Sequence, residues 1–114
     1  MSRSVTDLLR HMLAEAKYLL DESRSLSKDQ FLADETRRRA FVRSIEILGE
    51  ATKGVPQDFR AKYPEVPWQL IAGMRDRLIH AYFAVDFEIV WDVVVNKIPQ
   101  LRNQLQRILD AEQN

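Results

Sequence analysis

Cysteine is absent from the 114 residues, which excludes disulfide staples, iron–sulfur clusters and thiolate zinc sites. A net charge is absent too, because 17 Lys and Arg balance 17 Asp and Glu. A protein that coats nucleic acid purely by counterion release carries a surplus of basic residues, so a general coat is excluded. A local basic cleft is not, since net charge says nothing about arrangement. Three Gly and four Pro leave little room for long loops. No apolar run approaches the length of a membrane span, so no membrane partner is expected. Met1-Ser2-Arg3-Ser4 leads straight into an amphipathic pattern without the apolar core of a secretory leader, and a cytoplasmic location is expected. The two histidines, His11 and His80, stand far apart with no local ligand spacing, so no metal site is expected. There is no Gly-rich phosphate loop and no serine in a nucleophile-elbow context, and no cofactor is expected.

What is present is an ordinary globular composition, 46% hydrophobic and 30% charged, in a length suited to one domain spanning residues 1–114. Val5, Leu8, Leu9, Met12, Leu13, Ala16, Leu19 and Leu20 recur at helical spacing, predicting a first helix over residues 5–20 that fades into a polar connection at residues 21–25. Ser27 with Gln30 forms a capping-box pattern before a short turn carrying Phe31 and Leu32. A long helix follows from about Glu35 to about Lys53, stopped by Gly54 and Pro56. On it Arg39, Arg43, Glu46 and Glu50 share one narrow stripe, most simply a solvated, self-paired face. Pro56 to Tyr63 predicts a short helix, and Pro67 stands in the first turn of another running from Trp68 to about Tyr82. Asp86 should cap a last helix reaching about Ala111, kinked at Pro99. No segment alternates as a strand would. The expected architecture is all-α, an antiparallel bundle of four or five helices. Trp68 and Trp91 read as core anchors, and His11 as a surface or satisfied histidine.

The helix after Pro67 concentrates the chemistry. At about 100° per residue with Arg75 as zero, Trp68 falls near 20°, Ile79 near 40°, Ala72 near 60° and Phe83 near 80°. Ile71 and Leu78 fall near 320° and 300° on the other side. If the helix is straight, Arg75 lies in the middle of the apolar stripe. A guanidinium cannot shed its charge, so such a position needs a carboxylate, a subunit interface or an anionic ligand. Glu46 and Glu50 are the candidate carboxylates. Asp76 stands one turn before His80, where it can hydrogen-bond the imidazole and hold its tautomer. Tyr82 shares Arg75's face. A fixed cation, a titratable imidazole, an orienting carboxylate and a phenol are the parts needed to bind a phosphodiester and move protons around it. The same residues also suit a salt bridge, a favoured cation near a helix C-terminus and a core aromatic.

The spacing Arg75-x4-His80-x-Tyr82 resembles the Arg-x4–6-His motif of HEPN domains, in which a polar residue commonly follows the arginine as Asp76 does. The whole chain is similar to the HepT branch. The likeness is carried by Ile47-Leu48-Gly49-Glu50-Ala51, by Trp68-Gln69-Leu70-Ile71-Ala72-Gly73-Met74-Arg75-Asp76 and by Leu78-Ile79-His80-Ala81-Tyr82-Phe83, with Asp86 and Trp91 fitting as well. It extends over roughly residues 5–110.

The resemblance implies a helical bundle that forms a homodimer and places two motifs across a shared cleft. It implies metal-independent cleavage of RNA, tRNA among the candidate substrates, by the toxin of a toxin–antitoxin pair. The implied antitoxin is a minimal nucleotidyltransferase that attaches AMP to the motif tyrosine, here Tyr82. On this reading Arg75 and His80 are the catalytic residues, with Asp76 and Tyr82 supporting. Two other readings stay open: a non-catalytic nucleotide-binding subunit of such a nucleotidyltransferase, and a plain helical dimer whose motif is structural. A nucleotidyltransferase encoded next door would favour a paired system over the last.

Overall fold

The computed structural model describes residues 4–78 and 85–113, and its elements are all helical apart from short turns and connections. Helix α1 spans Val5–Arg24, and Ser4 caps it by accepting the Asp7 N–H at 3.2 Å. It buries Leu9, Met12, Leu13, Ala16, Leu19 and Leu20 along one face. It runs four residues beyond the predicted end, because polar residues extend a helix at its surface. Ser23 is buried with its hydroxyl donating to the Leu20 carbonyl at 3.0 Å, and Arg24 lies 3.6 Å from Asp21.

The capping box forms as the sequence predicts, with Ser27 Oγ accepting from the Gln30 N–H and the Gln30 side chain accepting from the Ser27 N–H. It starts α2, Lys28–Ala33, whose Phe31 is fully buried against Phe41 and Trp91, at ring-centroid separations of 4.8 and 5.3 Å. Asp34 then caps α3, Glu35–Lys53. The Arg37 N–H and then the Arg37 guanidinium hold the Asp34 carboxyl below the usual carboxylate range.

Helices α1 and α3 run antiparallel. Thr52 reaches Met12, Ser44 reaches Glu15 and Arg37 reaches Glu22, so one number rises as the other falls. Helix α1 also packs on the C-terminal part of the chain, which leaves it at the centre of the core.

A short α4, Gln57–Lys62, is followed by α5, Trp68–Ala72, and α6, Met74–Leu78. Trp68 is buried, with its indole N–H donating to the Tyr63 carbonyl at 2.9 Å, and Trp91 stacks on Phe31, so both tryptophans anchor the core. Asp86 caps α7, Phe87–Asn96, by accepting from the Glu88 and Ile89 N–H groups.

The predicted kink at Pro99 is instead a break at Lys97, after which α8 runs Ile98–Glu112. Proline has no N–H for the Val95 carbonyl and its ring crowds that group, so the ladder fails ahead of Pro99. Pro99 then sits in the first turn of a new helix, where no intrahelical donor is needed. No described helix is long and apolar enough to cross a membrane.

Candidate functional site

Helix α3 approaches α5 closely at Gly49. A Cβ there would stand 3.4 Å from the Ile71 carbonyl oxygen and 3.6 Å from that of Ala72. This contact fixes the end of α5 against α3. At Gly73 the helix predicted from Trp68 to Tyr82 breaks: the Gly73 N–H bonds back to Gln69 and Ile71, and α6 starts afresh at Met74. Glycine is a poor helix former, so the ladder gives way there.

The position of Arg75 corrects the straight-helix phasing. Among the described residues the buried positions of α5 and α6 are Trp68, Ile71, Met74 and Leu78. Across the break at Gly73 the straight-helix angles no longer apply, and exposure decides the position of Arg75. Arg75 therefore stands at the edge of the buried face, not in its middle, with 44% of its side chain exposed. Its Nε donates to Glu46 Oε2 on α3 at 3.2 Å, and Nη1 lies 3.7 Å from Asp76 Oδ1. Of the two candidate carboxylates, Glu46 meets Arg75, while Glu50 pairs with Lys53 at 3.4 Å. The Glu46 contact is the charge partner an arginine at this position requires. It is made side-on, and Nη2 has no partner among the described residues. Nη2 can still donate to a phosphate oxygen, and the exposed Asp76 contact at Nη1 is weak enough for a second oxygen to replace.

Asp76 is exposed, adjacent to Arg75. His80 and Tyr82 lie outside the described residues. The two flanks of that segment are both seated on α3. On one side Arg75 meets Glu46; on the other, the Arg38 guanidinium lies over the Phe87 ring, 5.0 Å from its centroid. The sequence reading passed over Arg38, whose Nε is buried and without a hydrogen-bond partner among the described residues. The signal for it was the run Arg37-Arg38-Arg39, which points three cations in three directions around α3: Arg37 to Asp34 and Glu22, Arg38 to Phe87, Arg39 to Glu35. His11 is exposed on α1.

Among the described residues no group of three or more His, Cys, Asp or Glu side chains is placed to hold a metal ion. An apolar cleft of about 500 Å³ runs between α5–α6 and α7–α8, lined by Leu70, Ile71, Met74, Leu78, Ile89 and Val93 among others. Arg75 does not line it, so the cationic site and the apolar cleft are separate features.

Comparison with known proteins settles the family. The family model described as ribonuclease HepT-like matches residues 7–108. The chain belongs to the HepT-like ribonuclease family. A Caldanaerobacter subterraneus subsp. tengcongensis relative, provisionally named an RNase, is 46% identical over 91% of this chain and 93% of its own. A Thermococcus cleftensis relative named "Probable ribonuclease HepT" is 42% identical over 95% of this chain and 98% of its own. A Methanocaldococcus jannaschii relative, also provisionally named an RNase, is 40% identical over 94% of this chain and 88% of its own. No solved structure matches. The HepT-like match spans α2 to α7 entirely and takes in Arg75, Asp76, His80 and Tyr82, so no part of the motif falls outside the family likeness.

Proposed function

We propose that this chain is a metal-independent RNase toxin that cuts RNA at a site composed across a homodimer. Its restraint is a minimal nucleotidyltransferase antitoxin that attaches AMP to Tyr82. The observation that carries the reading is Arg75: a surface guanidinium held through Nε by Glu46, its Nη2 without a partner among the described residues, five residues before the motif histidine His80 in sequence. Family membership and the RNase names of the relatives support it.

In this mechanism His80 takes the proton from an RNA 2′-hydroxyl. The 2′-oxygen attacks the adjacent phosphorus, the bond from phosphorus to the 5′-oxygen breaks, and the leaving oxygen receives a proton from the protonated His80 of the partner subunit across the dimer cleft. The products are a 2′,3′-cyclic phosphate and a 5′-hydroxyl. Positioned acid–base catalysis of this kind contributes roughly 10²- to 10⁴-fold. Arg75 holds the phosphate oxygens and stabilises the charge that builds on them. Asp76 orients His80. In the restraining reaction the Tyr82 phenol oxygen attacks the α-phosphorus of ATP and pyrophosphate leaves. The added nucleotide brings bulk and negative charge beside Arg75 and keeps RNA out.

Expression without the partner should slow growth and degrade RNA, and His80→Ala or Arg75→Ala should abolish both while the protein stays folded. Wild type and both variants equally harmless, with RNA intact, would sink the nuclease reading. Mass spectrometry after incubation with the partner and ATP should find AMP on Tyr82, and modification that survives Tyr82→Phe would refute that assignment.

A further inference from the structure

We infer that the exposed basic edge of α3, Arg39 and Arg43 leading away from the Glu46–Arg75 pair, is a phosphate track that holds the RNA strand beside the cleavage site. The inference rests on the nuclease reading for its ligand, but its geometry is independent of it.

Arg39, Arg43 and Glu46 fall within about 60° of one another around α3 and cover about 10 Å of its length. Arg39 is 80% exposed and its ion-pair partner among the described residues is Glu35, itself a surface side chain, at 2.8 Å. Arg43 is exposed and has no carboxylate partner among the described residues. The two arginines stand one turn apart, where like charges repel. The stripe's own acids do not relieve them, because Glu46 is engaged by Arg75 and Glu50 by Lys53. The expectation of a self-paired face is thus met only in part: Arg39 meets Glu35 and Arg75 meets Glu46 and Asp76, while Arg43 meets no carboxylate among the described residues.

Position gives this edge its role. Arg75, ahead of the segment bearing His80, is anchored at Glu46, and Phe87, beyond that segment, is anchored at Arg38. Arg39 and Arg43 lie on α3 between those two anchor points. A strand whose scissile phosphate sits on Arg75 and which extends along α3 toward its N-terminus meets Arg43 and then Arg39. Guanidinium forks suit phosphate oxygens, and the exposed Glu35 contact is weak enough for a phosphate to replace. A neutral chain can hold RNA in this way because net charge does not decide where two neighbouring cations stand.

The test uses the full chain and a fluorescein-labelled oligouridylate bearing 2′-O-methyl groups, which removes the attacking hydroxyl and leaves the backbone charge. Fluorescence anisotropy is read across a salt series for wild type, Arg39→Ala/Arg43→Ala and Arg39→Lys/Arg43→Lys, with circular dichroism as the folding check. On unmethylated RNA, KM and kcat are measured for the same proteins.

The alanine pair should weaken binding about tenfold at low salt and lower the slope of log affinity against log salt by roughly 1.4, two single-strand phosphate contacts' worth. It should raise KM with little change in kcat. The lysine pair should keep most of the affinity, since a point charge still meets a phosphate. An unchanged slope and KM in the alanine pair overturn the track while leaving the nuclease reading standing. A chain that binds through Arg39 and Arg43 but never cuts RNA keeps the track and loses the nuclease reading. Wild type that binds no oligonucleotide overturns both.

Discussion

Removing Glu46 should affect activity far more than stability, and the two effects have different expected sizes. The Arg75–Glu46 pair closes at 3.2 Å with side chains 44% and 27% exposed. An ion pair this open to solvent contributes between about 0 and 1 kcal/mol, because water screens it and two flexible side chains must be ordered to form it. Glu46→Ala should therefore unfold within about 1 kcal/mol of wild type, a shift in midpoint of about 5 °C or less for a chain of this size. Activity depends instead on where the guanidinium points. Losing a preorganised donor to transition-state charge outright costs about 10²- to 10³-fold, which sets the ceiling expected for Arg75→Ala. Glu46→Ala leaves the guanidinium in place but untethered, so a loss of about tenfold in kcat/KM is expected, below that ceiling. Glu46→Gln keeps an amide oxygen to accept from Arg75 Nε and should recover most of the activity. Urea unfolding followed by circular dichroism and kcat/KM on an RNA oligonucleotide read the two quantities separately. A stability loss beyond about 2 kcal/mol in Glu46→Ala would make the pair a structural strut, against the screening argument. Wild-type kcat/KM in that variant would show that Glu46 does not position Arg75.

Two further predictions concern the frame that carries the site. Gly49→Ala should leave stability unchanged or raise it by up to about 1 kcal/mol, since its Cβ would make ordinary contact with the Ile71 carbonyl at 3.4 Å while the glycine penalty in mid-helix disappears. Gly49→Val pushes further atoms into the same carbonyls and should cost about 1–3 kcal/mol in urea unfolding; tolerance of valine would mean that α3 and α5 are not held at that distance. At the far end, Glu112 on α8 accepts from Lys62 at 2.7 Å and from the Tyr63 hydroxyl, and these donors, Lys62 first, hold its carboxyl below the usual glutamate range. A lowered folded-state pKa contributes stability that is present above the unfolded value and lost as pH falls through the folded one. Glu112→Gln should thus flatten the decline in stability on acidification below about pH 4; identical acid limbs for wild type and variant would refute the linkage.

Local rules were legible in the sequence where a few neighbouring residues decide the outcome. The Ser27–Gln30 capping box and the Asp86 cap form from side chains three residues or fewer from the groups they satisfy. The breaks at Gly73 and Lys97 were not legible as breaks, because the apolar spacing continues across both. Trp68, Ile71, Met74 and Leu78 keep a helical rhythm through Gly73 although the hydrogen-bond ladder does not. Periodicity records which face is buried, not whether each N–H finds its carbonyl. The choice between Glu46 and Glu50 was out of reach for a different reason. They differ by one helical turn on the same stripe, and only the register of α6 against α3 selects one. Arg75, Asp76, His80 and Tyr82 were singled out from spacing and chemistry, whereas RNA as substrate and AMP attachment to Tyr82 came with the family likeness; His80 and Tyr82 lie outside the described residues.

The displacement of Arg75 from the middle of the apolar stripe to its edge strengthens the case for a site at α3. A guanidinium buried among Trp68, Ile71 and Leu78 would need full charge compensation, and its carboxylate would then occupy the donors that a phosphate requires. At the edge, one side-on contact from Glu46 suffices, and water supplies the rest until a ligand arrives. The weakness of such half-exposed pairs, Glu46 at Nε and Asp76 at Nη1, leaves Arg75 able to meet an anionic ligand. Because Glu46 holds Nε and Nη2 has no partner among the described residues, a phosphate arriving at Nη2 need not displace Glu46. On the proposed reading the carboxylate aims the guanidinium, and helix α3, which carries it together with Arg38, Arg39 and Arg43, is the element to which the candidate site is tied.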